Sequence, residues 1–207
     1  MIDDDTEIRL MPHFSIIFNC HFIYISLLIN IHVYNRQNSF FIALPKFMKI
    51  RIITIGQKMP AWVLTGFEDY FKRIQPFVQT QIIELPMAKR GKNDSDADIL
   101  KYRQIEGDSI LNAVKQNETL IALEVGGKEF STEKLAETMK VWMLDGNDVV
   151  LAIGGPDGHS EAVRKAAAWH WSLSKLTLPH PMVRVMLIEQ LYRAMSINHN
   201  HPYHRAG

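Results

Sequence analysis

Residues Val149 to Arg184 read VVLAIGGPDGHSEAVRKAAAWHWSLSKLTLPHPMVR. The apolar run 149–153 halts at Gly154-Gly155-Pro156-Asp157-Gly158, the pattern of a buried strand ending in a tight turn. Turns at the C-terminal edges of strands are where open α/β sheets hold ligands. One short helical pattern later comes Leu173-Ser174-Lys175-Leu176-Thr177-Leu178-Pro179-His180-Pro181, a second loop closed by two prolines. The two loops are expected to face each other as walls of one pocket.

Working outward, Met48–Gly56 carries a first strand, and Trp62, Gly66, Phe67, Tyr70, Phe71 and Ile74 recur at helical spacing over 61–75. Residues 77–85 read as a second strand, 86–96 as a polar connection containing Lys89, Arg90 and Lys92, and 97–115 as a helix. A third strand over 120–125 is expected to stop at Gly126-Gly127, a second glycine-rich exit. Ser131 or Thr132 suits the cap of the next helix, Glu133 its first turn, and Gly146 its end. Ser160 suits the cap of a helix through His170, residues 171–178 hold a short fifth strand, and Pro181 opens a last helix over 182–197. The stripe of that helix is Val183, Met186, Leu187, Leu191 and Ala194. Strands alternating with helices predict a single α/β domain whose mainly parallel sheet is covered by helices on both faces.

At 207 residues and 47% hydrophobic content the chain can fill one generous core. A formal charge of +1 gives no argument for a polyanionic partner, so any nucleic-acid contact must rest on local basic clusters. Cys20 is the only cysteine, which excludes an internal disulfide framework and a cysteine-built zinc site and suits a reducing cytoplasm. Residues 1–47 read differently from the rest. They begin acidic, and their Ile-, Phe- and Tyr-rich run 14–34 is broken by Asn19, His21, Asn30 and His32. Neither a signal peptide nor a membrane span fits that pattern. Met48 is the expected start of the working domain (48–207), with 1–47 as an N-terminal extension.

From residue types alone, three chemistries compete. A phosphate loop at Gly154–Gly158 lacks both dinucleotide and nucleoside-triphosphate spacing. A metal held by His199, His201 and His204 lacks a partner carboxylate or thiolate, so none is expected. Ser160 and Ser174 lack a nucleophile elbow.

The glycine turn, the 173–181 loop, Arg184, Glu189-Gln190-Leu191-Tyr192-Arg193-Ala194 and the terminal His201-Pro202-Tyr203-His204-Arg205 together resemble the RlmH family of SPOUT (alpha/beta-knot) methyltransferases. The likeness spans essentially all of 48–205, including Gly56-Gln57-Lys58-Met59-Pro60 and Lys89-Arg90-Gly91-Lys92. It implies a C-terminal trefoil knot, a homodimer and an S-adenosyl-L-methionine site formed by Leu123, Gly154, Gly155, Leu173, Ser174, Lys175, Leu176, Thr177 and Leu178. It further implies methyl transfer to N3 of a pseudouridine in 23S ribosomal RNA on the assembled ribosome, without a membrane partner. His201, Tyr203, His204 and Arg205 are the implied groups for gripping the target or aiding loss of its proton, and Arg184 and Arg193 are candidates for RNA or helix-end contacts. The competing class is a non-catalytic RNA- or ribosome-binding factor on the same fold, which would not bind the cofactor.

Overall fold

The computed structural model describes residues 7–10, 14–17, 34–35, 38–39 and 48–205. The chain divides into two compact units, Met1–Lys46 and Phe47–Gly207. In the first, β1 (Glu7–Leu10) pairs antiparallel with β2 (Phe14–Ile17), and β3 (Tyr34–Asn35) pairs antiparallel with β4 (Asn38–Ser39). Cys20 and most of the apolar run 14–34 lie outside the described residues. Among the described residues no helix is long and apolar enough to cross a membrane.

The second unit runs β5 (Lys49–Ile55), α1 (Ala61–Ile74), β6 (Gln79–Leu85), α2 (Asp96–Ala113), β7 (Glu118–Glu129), α3 (Thr132–Asp145), β8 (Asp148–Ile153), α4 (Glu161–Ala166), β9 (Trp169–Ser172) and α5 (His180–Asn198). Five parallel strands form one sheet in the order β6-β5-β8-β7-β9. The alternation of each strand splits the core in two. Ile50, Ile52, Ile121, Leu151 and Ile153 meet α1, α3 and α5 on one face, and Ile53, Ile55, Ala122, Val150 and Ala152 meet α2 and α4 on the other. Both faces are covered, as a parallel sheet requires. At its N-terminal edge, buried Arg51 ties three elements together: its Nη1 donates to Glu118 at 2.5–2.6 Å and to the Ala113 carbonyl at 3.2 Å.

Helix ends follow their local chemistry. Ser131 accepts from the Lys134 amide at 3.1 Å, Ser160 from the Val163 amide at 3.3 Å, and Gly146 closes α3 with a φ of 65°. Ser95 and Asp98 form a reciprocal capping box at the start of α2.

Several boundaries and one helix face differ from expectation; the fifth strand, expected within 171–178, is β9 at Trp169–Ser172. The third strand does not stop at Gly126-Gly127. After an irregularity between Leu123 and Lys128, β7 continues and pairs Lys128 with Trp171 and Glu129 with Ser172. Gly127 permits this, since a Cβ there would stand 2.7 Å from the backbone of His170 and Trp171. The helix capped by Ser160 ends at Ala166 rather than His170, because the Ala168 amide donates to the Leu120 carbonyl at 2.9 Å and commits the chain to β9. The expected stripe on α5 was too narrow. Arg184, Ile188, Tyr192, Met195 and Ser196 are buried beside Leu187, Leu191 and Ala194, since α5 packs between α1 and α3 and meets neighbours on most sides.

Candidate functional site

A cavity of about 800 Å³ opens at the C-terminal edge of the sheet. Leu123 of β7 and Ile153 of β8 form its floor, the glycine turn one wall, and the β9–α5 loop the other. Leu123, Gly154, Gly155, Leu173, Ser174, Leu176, Thr177 and Leu178 all line it. Lys175 does not. It points outward from the loop, 88% exposed, 3.9 Å from Glu129.

The turn is built to stay put. The Gly158 amide donates to the Gly155 carbonyl at 3.0 Å across Pro156-Asp157, and Gly158 takes a φ of 81°. Helix α2 grips it from behind. Arg103 donates twice to the His159 carbonyl, at 2.6 and 3.1 Å. Arg90, from the basic connection, joins Asp157 to Glu106, whose side chain is 2% exposed. Glu106 Oε1 also accepts from the Ala88 amide at 3.0 Å. Gly155 is the contact point, since a Cβ there would lie 2.2 Å from Glu106 Oε2. The second wall is fixed by its own serines. Ser172 donates to the Ser174 carbonyl at 2.8 Å, and Ser174 Oγ accepts from the Leu176 amide at 3.0 Å. Leu176, 70% exposed, sits at the mouth.

Two imidazoles border the site. His159 is buried and donates from Nε2 to the Leu123 carbonyl at 3.1 Å, while His180 lines the cavity and shares a hydrogen bond with Thr54 at 3.3 Å. Burial pushes both below the ordinary histidine value, and the charge of Arg184 pushes His180 further the same way. The sign of the pH dependence follows. The unfolded chain takes up protons near pH ~6.5 while the folded chain resists them, so this contribution is complete above that pH and is lost as pH falls below it. Urea midpoints measured from about pH 7.5 down to 5.5 should decline. His159→Gln should flatten the decline, and an equal slope would remove His159 as its cause.

The tail residues stand apart from this cavity, since none of His201, Tyr203, His204 or Arg205 lines it. Asn200, with a φ of 53°, turns the chain after α5, and the His201 amide closes on the Ser196 carbonyl at 2.8 Å. Tyr203 then docks on α1 and α5. Its hydroxyl donates to Glu189 at 3.0 Å and lies 3.1 Å from the Tyr70 hydroxyl, with Arg193 4.8 Å over its ring. Burial, then the bonds to Tyr70 and Glu189, push this phenol far above its usual range. It therefore holds its proton at neutral pH. His201 packs against Phe77 and Tyr192, His204 lies 3.6 Å from Glu133, and Arg205 is exposed.

Sequence reasoning missed three lining residues with titratable side chains: Glu124, Arg164 and His180. His180 stood inside the quoted loop and carried a signal. Glu124 and Arg164 carried none, because their 2.9 Å ion pair joins residues forty apart. Arg184, a candidate for RNA contact, is instead buried, bonded to Glu84 and to the Gly56 carbonyl. Arg193 is spent on Glu189 at 2.5 Å.

Residues 48–204 match the family described as predicted SPOUT methyltransferase. A ribosomal RNA large subunit methyltransferase H from Acinetobacter baumannii is 87% identical over 159 residues, 77% of this chain and all of that protein. Proteins of the same name from Acinetobacter baylyi and Psychrobacter cryohalolentis are 86% and 58% identical, each again along its whole length and 77% of this chain.

Proposed function

The chain belongs to the RlmH family of SPOUT methyltransferases, and from that membership we propose that it methylates large-subunit ribosomal RNA with S-adenosylmethionine, at N3 of a pseudouridine in the assembled ribosome. The observation that carries the reading is the cavity between the glycine turn and the 173–178 loop. Its volume falls within the roughly 300–1,000 Å³ of small-molecule sites, and its apolar walls and backbone groups suit an adenosine and a thioether-bearing chain.

When bound, S-adenosylmethionine supplies an electrophilic methyl carbon, which N3 takes as it loses its proton and the sulfur leaves as a thioether. The protein's share is alignment, proton handling and exclusion of water. Leu123, Leu173, Leu176 and Leu178 would wall the cofactor, Gly154 and Gly155 would bring backbone against it, Ser174 holds its loop, and Thr177 belongs to the rim, with Lys175 outside it. Tyr203, whose hydroxyl donates to Glu189, anchors the tail against α1 and α5, and His201, His204 and Arg205 grip the base or its phosphate.

The tail's distance from its own cavity supports a two-fold assembly in which one subunit's tail serves the other's pocket. Mixing Thr177→Trp subunits, whose pocket is filled, with Tyr203→Ala subunits should restore about one working site per mixed dimer. A monomer in sedimentation would end that part of the reading. The trefoil knot, a cytoplasmic location and a working domain confined to 48–207 belong to the same proposal. Mass mapping of ribosomal RNA from cells lacking the protein should show one methyl group lost from a pseudouridine, restored by the purified enzyme and S-adenosylmethionine. An unchanged map overturns the assignment.

A further inference from the structure

A second cavity, of about 610 Å³, adjoins the first and has no part in the reaction just described. Phe130, Trp169, His170, Lys128 and Lys134 line it, and it shares Glu124 and Gly126 with the methyl-donor pocket. We propose that this cavity is a nucleotide subsite, holding the base and phosphate of a single-stranded RNA residue next to the methyl acceptor; it rests on the RNA reading above.

Three observations carry it. First, its wall is aromatic and open: Trp169 is 40% exposed, with its ring 6.2 Å from Phe130 and 5.9 Å from Trp142. A supported indole with one free flank is a stacking platform for any base. Second, its charge suits a phosphate. The Lys128 ammonium lies 5.7 Å over the Phe130 ring, and Lys134 faces Glu137 at 2.9 Å in a pair so exposed that exchange for a phosphate costs little. The acidic group on the shared wall is already matched, since Glu124 lies 2.9 Å from Arg164. Glu129, nearby, does not line the cavity and lies 3.9 Å from Lys175. Third, the two cavities meet at Glu124 and Gly126, so an occupant of the second lies beside an acceptor presented to the first. Ammonium groups flanking an aromatic face are what a base with its phosphate needs.

The test titrates the full chain with fluorescently labelled octauridylate, alongside calorimetry with S-adenosylmethionine and methyl transfer to ribosomes. Trp169→Ala should weaken oligonucleotide binding roughly tenfold, and Trp169→Phe should retain most of it. Lys128→Ala should lower the slope of log affinity on log salt by about 0.7. Cofactor affinity should be unchanged in all three. If the unsubstituted enzyme methylates ribosomal RNA while Trp169→Ala and Lys128→Ala leave oligonucleotide affinity and the KM for ribosomes unchanged, the subsite is overturned and the function stands. If octauridylate binds through Trp169 but no ribosomal RNA is methylated, the subsite stands and the function falls. A change of sedimenting mass in either variant, with oligonucleotide affinity intact, would make this face a protein interface and also overturn the subsite.

Discussion

Replacing Gly155 by alanine is expected to weaken S-adenosylmethionine binding by at least about tenfold and to cost about 1–3 kcal/mol of folding free energy. The added methyl group does not enter the cavity. It points at Glu106, whose Oε2 would stand 2.2 Å away and whose other oxygen is committed to Arg90 and the Ala88 amide. A buried carboxylate pinned in this way cannot swing aside, so the glycine turn must move, and the turn is the cavity wall. Calorimetry and urea unfolding read the two effects. The cause is checked by the Gly155→Ala/Glu106→Ala pair. Glu106→Ala alone orphans an amide and damages the protein, but it also makes room, so the double variant should recover by about 0.5–3 kcal/mol relative to the sum of the singles. Strict additivity would dismiss the contact with Glu106 as the reason Gly155 has to be glycine.

The second large effect is expected at Arg184, whose side chain is 2% exposed and joins Glu84 of β6 to the carbonyl of Gly56 after β5. Arg184→Met keeps the apolar stem and removes the charge, and should destabilise the fold by about 2–4 kcal/mol in denaturant unfolding. The figure lies toward the low side for a buried pair because Glu84 is 35% exposed and regains water when its partner goes. Arg184 is also one of the groups that lower the pKa of His180 on the cavity wall. In Arg184→Met the His180 titration followed by NMR should move up toward the ordinary histidine value. A variant as stable as the parent, with His180 unmoved, would show that this arginine anchors neither the sheet edge nor the pocket.

Both predictions concern residues whose neighbourhood was only half legible beforehand. Gly155 stood out in the sequence as part of a strand exit, and the turn that it belongs to is where it was expected. It lines the cavity as expected, but its missing Cβ faces Glu106, on a helix forty-nine positions earlier in the chain. Arg184 was a candidate for an RNA or helix-end contact, and it is interior. Its burial depends on Glu84 and Gly56, a hundred or more residues away. The same holds for the histidine-rich tail. Its residue types suggested substrate contact, while its docking of Tyr203 between Tyr70 and Glu189 was written nowhere in its own spacing.

What the sequence by itself determined is local. Apolar runs and three-to-four periodicities set most of the strands and helices of 48–205, the serines at 131 and 160 set two helix starts, and Gly154–Gly158 with Leu173–Pro181 set the two pocket walls. These follow from the conformational preferences of neighbouring residues and need no partner. Tertiary structure alone decided that β7 runs on past Gly126-Gly127 to pair with β9, that α2 braces the glycine turn, that Arg184 is interior, and that a second cavity opens behind Glu124. Each is a contact between residues far apart in the chain, decided by which surfaces the packed sheet and helices bring together.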